Sequence, residues 1–454
     1  MKQPKSRNAE LAPNAMGGGK SHAETAYPPA GGCPRSGCPS RGESAEFKMT
    51  ELGPIPEDWE VKRLGEIFTF KNGYNASANC YGSGIPVASV LDALSTRSIT
   101  RQSIATKVNA PSKDQDSFSL KSGDLIFTRS SETLEDVGRS NVYLDADNAM
   151  FGGFVIRGRP SVVIDSLFVN YMLNTSSCRI RVMSHGAGAQ HFNIGQSGLE
   201  KVLIPLPPLA EQRRIAGALS DVDELISALG KLIEKKRNIK TGTMQQLLTG
   251  KTRLPGFKGK WEEKRLGDVA TMFAGGTPPS NVDRYYGGDI PWVSISDISV
   301  ADKFVNETVE QLTEEGLNNS SAKWYPGNTL LFAMYASIGK CCIARRRMTS
   351  SQAILGIYNL IDLDIEFLYY LLTLRNDEFL AIGQTGTQSN LSKAIVGNVV
   401  VNVPTLAEQE AIAAVLSDMD AEIAALEADR AKYERIKSGM MQELLTGKTR
   451  LKGE

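Results

Sequence analysis

Lys71-Asn72-Gly73-Tyr74-Asn75 closes an alternating apolar run, and Arg97, Arg101, Arg129, Arg139, Gln190, His191 and Asn193 follow in turn-like surroundings. Arginine can donate in pairs to guanine, and asparagine or glutamine can both donate to and accept from adenine, so these residue types suit base edges and phosphates. The second half holds a comparable set, Thr277, Tyr335, Ser337, Lys340, Gln388 and Asn390, and adds the dense basic cluster Arg345-Arg346-Arg347, suited to gripping phosphate. Taken singly, each of these residues reads as readily as a solvated surface side chain.

Other chemistries find less support. His191 has no visible partner for acid–base or nucleophilic work. Gly19-Lys20-Ser21 resembles the end of a phosphate-binding loop, but Asn14 stands where the earlier glycine belongs. Asp289-Ile290-Pro291-Trp292 resembles the base-holding motif of amino-methyltransferases with isoleucine at its second position, and a turn entering a buried strand accounts for it better. Glu60-Val61-Lys62 and Glu262-Glu263-Lys264 look like half of a nuclease metal motif, yet both copies stand at a domain entrance and the upstream acidic strand is missing. Six cysteines, Cys33, Cys38, Cys80, Cys178, Cys341 and Cys342, show no metal-ligand pairing and read as thiols in a reducing cytoplasm.

The elements that must position the polar loops are written twice. Leu209 to Leu254 and Leu406 to Leu451, offset by 197 positions, share 27 of 46 residues without a gap. This is an internal duplication. In the first copy Ile215, Leu219, Val222, Ile226, Leu229 and Ile233 step by threes and fours, as do Ile412, Leu416, Met419, Ile423, Leu426 and, further on, Tyr433 in the second. Such steps keep one apolar seam on an α-helix and predict two helices packed side by side. Pro207, Pro208 and Pro404 suit their starts, and Gly250 and Gly447 their ends.

Fainter duplication precedes each helix. Trp59 and Lys62-Arg63-Leu64-Gly65 match Trp261 and Lys264-Arg265-Leu266-Gly267. Short alternating runs at Glu66 to Phe70, Ile85 to Val90 and Asp124 to Thr128 predict strands, and Asp165 to Leu173 has helical spacing; Val269 to Ala274 and Lys340 to Ala344 predict strands in the second copy. The expected fold is α/β, with two small α/β domains separated by two long helices. The chain divides into a disordered extension (1–48), a first domain (49–206), a first helix (207–250), a linker (251–256), a second domain (257–403), a second helix (404–447) and a tail (448–454). A helix of about 40 residues spans ~60 Å. A domain of about 150 residues, with a radius of gyration of ~15 Å, cannot comfortably join ends so far apart. The helices are therefore expected to pack as an antiparallel coiled coil with a pseudo-twofold between the halves.

Composition bounds the partners. The 454 residues hold 51 Lys and Arg against 51 Asp and Glu, a formal net charge of zero, so any grip on nucleic acid must come from local patches or from partner subunits. No apolar run approaches the ~18 residues of a membrane span, and a cytoplasmic location without membrane attachment is expected.

In combination, Pro207-Pro-Leu-Ala-Glu-Gln-Arg-Arg-Ile-Ala216, Pro404-Thr-Leu-Ala-Glu-Gln-Glu-Ala-Ile-Ala413, the Leu-Leu-Thr-Gly-Lys helix exits and the Trp-x-x-Lys-Arg-Leu-Gly domain starts resemble the specificity subunit of type I restriction-modification systems, from about Ile55 onward. The resemblance implies two target-recognition domains reading a bipartite, asymmetric site on double-stranded DNA. It also implies a non-catalytic chain that docks methyltransferase subunits, two of them, and restriction subunits. S-adenosylmethionine, ATP and magnesium would belong to those partners, with no cofactor or metal in this chain. A stand-alone DNA methyltransferase or nuclease, and a coiled-coil scaffold without sequence-specific contacts, are the alternatives.

Overall fold

Leu209–Leu247 and Leu406–Leu444 each form one unbroken helix of 39 residues. The computed structural model describes residues 46–96, 98–188, 191–384 and 390–452. The extension expected to be disordered lies almost wholly outside them, but Phe47–Thr50 is a strand paired with Gly53–Pro56, so order begins ahead of the expected boundary. Both helices stop three residues short of their glycines, and Gly250 (φ +70°) and Gly447 (φ +71°) take the left-handed conformation that turns the chain away.

The two helices run antiparallel: Lys236 pairs with Glu422 but Lys437 with Asp223, so partner numbers fall on one helix as they rise on the other. Ile215 and Leu219, near the start of the first helix, share a core with Leu444 and Leu445 from the end of the second. Met244, Leu247 and Leu248 share another with Ile412 and Leu416. Each helix thus begins in its own domain's core and ends in the other's. The seam is not uniform. Ile215, Leu219, Ile233, Ile412, Leu416 and Ile423 are buried, while Val222, Ile226, Leu229, Met419, Leu426 and Tyr433 are half-buried. Two helices without a third neighbour cannot cover both flanks of their own seam.

Each domain is built on an antiparallel sheet. In the first, the order is Phe68–Asn72, Val155–Pro160, Leu125–Thr128, Ser140–Val142. In the second it is Thr271–Ala274, Ile354–Tyr358, Thr329–Ala333, Cys341–Ala344, with Phe304–Val305 added in parallel. The strand Glu60–Arg63 pairs with Leu203–Leu206, and Glu262–Arg265 with Val400–Val403, so each domain's two ends leave together at the head of a long helix. The Glu-x-Lys segments are therefore structural strands.

Two expected strands start late. Leu64–Ile67 and Leu266–Val269 are single helical turns, and the strands begin at Phe68 and Thr271. Leu64 and Ile67 lie three apart on one buried face, a pairing that overrides the alternation read from the sequence. Lys71 and Asn72, expected in a turn, belong to the strand, and Val90 opens a helix, Val90–Leu94, instead of ending a strand. Asp289 to Trp292 lies inside the strand Tyr286–Val293, where the buried Trp292 indole donates to Gly276 O at 2.9 Å.

Candidate nucleic-acid interface

In the first domain the strand Phe68–Asn72 ends beside the start of Val155–Pro160 and the end of Leu125–Thr128, which brings three loops to one edge. Tyr74 bridges to Gly152, closing the Asn72–Asn75 turn against the Gly152-Gly153-Phe154 loop. Phe154 O accepts from Arg129 N at 3.0 Å, and Arg129 O accepts from Ile194 N at 3.0 Å. Asn193 pairs with Ser130 across a short ladder, and Ser130 Oγ donates to Asn193 Oδ1 at 2.5 Å. The result is a continuous row: Asn72 and Asn75, Phe154, Arg129, Ser130, His191 and Asn193.

The second domain repeats this backbone with other side chains. Met334 N donates to Ala353 O at 2.9 Å and Leu391 N to Met334 O at 2.9 Å, the same two links one repeat later. Met334 thus stands for Arg129, Ala353 for Phe154 and Asn390 for Asn193. The Gly275-Gly276-Thr277 turn replaces Gly73-Tyr74-Asn75, and Thr277 Oγ1 donates to the Gln352 side chain. Tyr335, half-buried against the domain core, and Ser337, linked to Ser299 Oγ at 2.9 Å, continue the row.

Arg139 and Lys340 are equivalent as well, each directly preceding a sheet strand. Arg139 lines a cleft of about 980 Å³ between the first domain and the helices. Lys340 lines one of about 610 Å³ beside the second, together with Arg237 and Lys240.

Several expected contacts lie elsewhere. Arg345, Arg346 and Arg347 follow the strand Cys341–Ala344, at the end opposite Lys340. Arg345 stacks on Phe304 with its guanidinium 3.6 Å from the ring centre, and Arg347 on Trp324 at 3.9 Å. Arg101 is likewise at the far end of its sheet, its amide donating to Asp145 Oδ2 at 3.0 Å. Lys71 lies on the sheet face, donating to Ser117 O at 2.7 Å over the Phe118 ring, and burial together with the neighbouring Arg157 and Arg159 pushes its ammonium below the usual lysine range. The Tyr74 ring packs on Phe118 at 5.3 Å. Arg97, Gln190 and Gln388 lie outside the described residues. Phe154 and Gln352, which do face outward, escaped the sequence reading. The aromatic directly after Gly152-Gly153 was the available signal for Phe154, whereas Gln352 lies 75 positions from Thr277 and nothing in the sequence joins the two.

What orients the two edges is the Leu-Ala-Glu-Gln motif. Gln212 is buried, accepting from Asp165 N at 2.9 Å and donating to Pro207 O at 2.8 Å; Gln409 does the same with Asp364 N and Pro404 O, both at 2.9 Å. Each glutamine fixes the start of a domain helix, Ser166–Leu173 or Ile365–Leu374, to the start of a long one. Buried Glu211 accepts from Arg450 through both oxygens, at 2.7 and 2.6 Å, and from Trp59 Nε1 at 3.2 Å. Glu408 accepts from Arg253 at 2.5 Å through each oxygen. The segment expected to be a plain linker is therefore a clamp, and so is the C-terminal tail. Hydrogen bonding from Arg450 also holds the Asp58 carboxyl below the usual carboxylate range.

Among the described residues no group of three or more His, Cys, Asp or Glu is placed to hold a metal, and no helix is long and apolar enough to cross a membrane. Two α/β domains at opposite ends of an antiparallel helix pair, each offering a polar edge on a shared backbone, define a two-headed recognition protein. The chain belongs to the family of type I restriction modification DNA specificity domains, whose sequence pattern matches residues 56–238 and 258–437. It is 26% identical over 440 residues to the type I restriction enzyme MjaVIII specificity subunit of Methanocaldococcus jannaschii, covering 89% of this chain and 96% of that protein. The crystal structure of a type I restriction-modification system S subunit from M. genitalium superposes with a TM-score of 0.56 at 15% identity, covering 88% of this chain and 99% of that one. A chain from a structure addressing complex assembly and conformational transition of the type I system gives 0.52 at 19% identity, with 87% and 99% covered.

Proposed function

We propose that this chain reads a two-part, asymmetric site on double-stranded DNA, one half with each edge. One observation carries the reading. The pseudo-twofold repeats the backbone links of Arg129, Phe154 and Ile194 at Met334, Ala353 and Leu391, yet changes nearly every outward side chain. A shared scaffold with divergent tips is what two independent base readers require, since sequence is read by side chains at base edges and register is set by backbone contacts. The chain itself performs no catalysis. Methyltransferase subunits, two of them, and restriction subunits assemble on it and bring S-adenosylmethionine, ATP and magnesium.

The helix pair supports the docking role. Leu225, Leu232 and Ile239 are exposed and spaced by sevens along the first helix, an apolar stripe whose equivalents on the second are Glu422, Asp429 and Ile436. The test is methylation-aware sequencing of DNA from cells carrying this chain with its partner subunits. Modified sites with two unlike halves and a fixed unread gap are expected. A palindromic motif, or methylation without sequence preference, would overturn the reading.

A further inference from the structure

Phe154 is the residue of the first edge that hydrogen bonding does not explain. The residue is 70% exposed, while Phe151, three residues earlier, is fully buried. The loop carrying it has no slack. A Cβ on Gly73 would lie 1.9 Å from Gly152 O, a backbone approach that only glycine allows, and one on Gly153 would meet the Asn75 side chain, 1.5 Å from its Oδ1. Behind the ring, the Phe154 carbonyl is held by Arg129 N. The aromatic is therefore presented from fixed backbone, and covering it sacrifices little conformational freedom.

Its neighbours are Asn75, Arg129 and Asn193, all capable of hydrogen bonding to base edges. In the major groove the one apolar mark on any base pair is the thymine methyl group, and a phenylalanine ring is among the side chains that contact it. We propose that Phe154 packs on the 5-methyl group of a thymine in the half-site read by the first domain. This rests on the DNA-reading role proposed above and names one of its specificity-determining residues. At the same place the second domain carries Ala353 with exposed Gln352 beside it, so there an amide stands in for the ring.

The experiment uses the full chain assembled with its methyltransferase subunits, on duplexes bearing the site mapped by methylation-aware sequencing. Each thymine of the first half-site is replaced in turn by deoxyuridine, which removes only the methyl group, and binding of wild type and F154A is measured by competition. At one position the wild-type complex should lose about three- to tenfold, the size expected for one buried methyl group. F154A should lose a similar factor on the unmodified duplex and nothing further from uracil at that position. It should leave the second half-site's preferences unchanged.

A first half-site without thymine, fully additive losses, or F154A binding like wild type would each overturn the proposal. So would an F154A chain that reads DNA normally but fails to assemble, because the ring would then be a protein contact. Failure of the underlying reading looks different: the wild-type complex would show no sequence selectivity on any duplex.

Discussion

Lys437 Nζ, near the end of the second long helix, donates at 2.6 Å to Asp223 of the first, and Asp223 also accepts at 2.7 Å from the Tyr171 hydroxyl of the first domain. One repeat away, Lys240 donates to Asp420, which accepts at 2.6 Å from the Tyr370 hydroxyl. Each aspartate thus joins one domain to both helices. Burial, reinforced by the aspartate, pushes both tyrosine hydroxyls well above the usual phenol range, so they remain donors at any pH the folded protein meets.

Asp223→Ala strands two donors, Tyr171 and Lys437, whereas Lys437→Met removes one partner from a pair that is still partly solvated. The first should cost about 2–3 kcal/mol and the second below ~1 kcal/mol. Urea denaturation of the two variants compares them directly, and equal small losses would mean that the aspartate is not the hub.

Arg450→Ala leaves the buried Glu211 carboxylate without its ion pair, a change that costs about 3–5 kcal/mol. Adding Glu211→Gln should recover much of that loss, since a neutral amide tolerates the site better than a lone charge. Arg253→Ala, with Glu408, should behave alike in the other half. Thermal melting of the single and double variants is the measurement, and a double variant worse than the single would refute the assignment.

The helix seam predicts a gradient. Leu219→Asp or Leu416→Asp puts a carboxylate into a fully buried site shared by helix and domain, costing several kcal/mol, on the order of the penalty for an unpaired buried charge. Ile226→Asp, at the half-buried middle, should leave the isolated chain folded. Soluble yield and melting temperature distinguish them, and equal behaviour would show that burial is uniform along the pair.

Exchanging residues 55–206 for the corresponding segment of a relative should change one half of the modified motif and leave the other intact. Methylation mapping before and after reads this out. Changes in both halves would mean that the heads are coupled through the helices.

Burial pushes the Cys341 and Cys342 thiols up to about 12, so at pH 8 they are protonated as well as buried. Alkylation of the folded protein should reach the half-buried Cys80 and spare Cys341 and Cys342 until denaturant is added. Modification of the latter pair at the rate of Cys80 would mean that the second domain opens readily.

Much of this protein was legible in the sequence because it is encoded locally. Steps of three and four residues define a helical face wherever they occur, and a duplication without gaps carries one local fold to two places; even the antiparallel arrangement followed from comparing a helix length with a domain size. The side-chain partnerships were not legible, because they join residues distant in the chain. Glu211 and Arg450 lie 239 positions apart, and nothing near either one announces a buried carboxylate clamped by a guanidinium. The same holds for the reading edges. Phe151 and Phe154 are one residue type three positions apart, yet one lies in the core and the other in water, on either side of a Gly152-Gly153 turn packed against Gly73 and Asn75. Arg345 to Arg347, the strongest basic signal in the sequence, went instead to the far end of the sheet, with Arg345 and Arg347 laid on aromatic rings. Strand direction decides which end a loop occupies, and direction is fixed only when the sheet assembles.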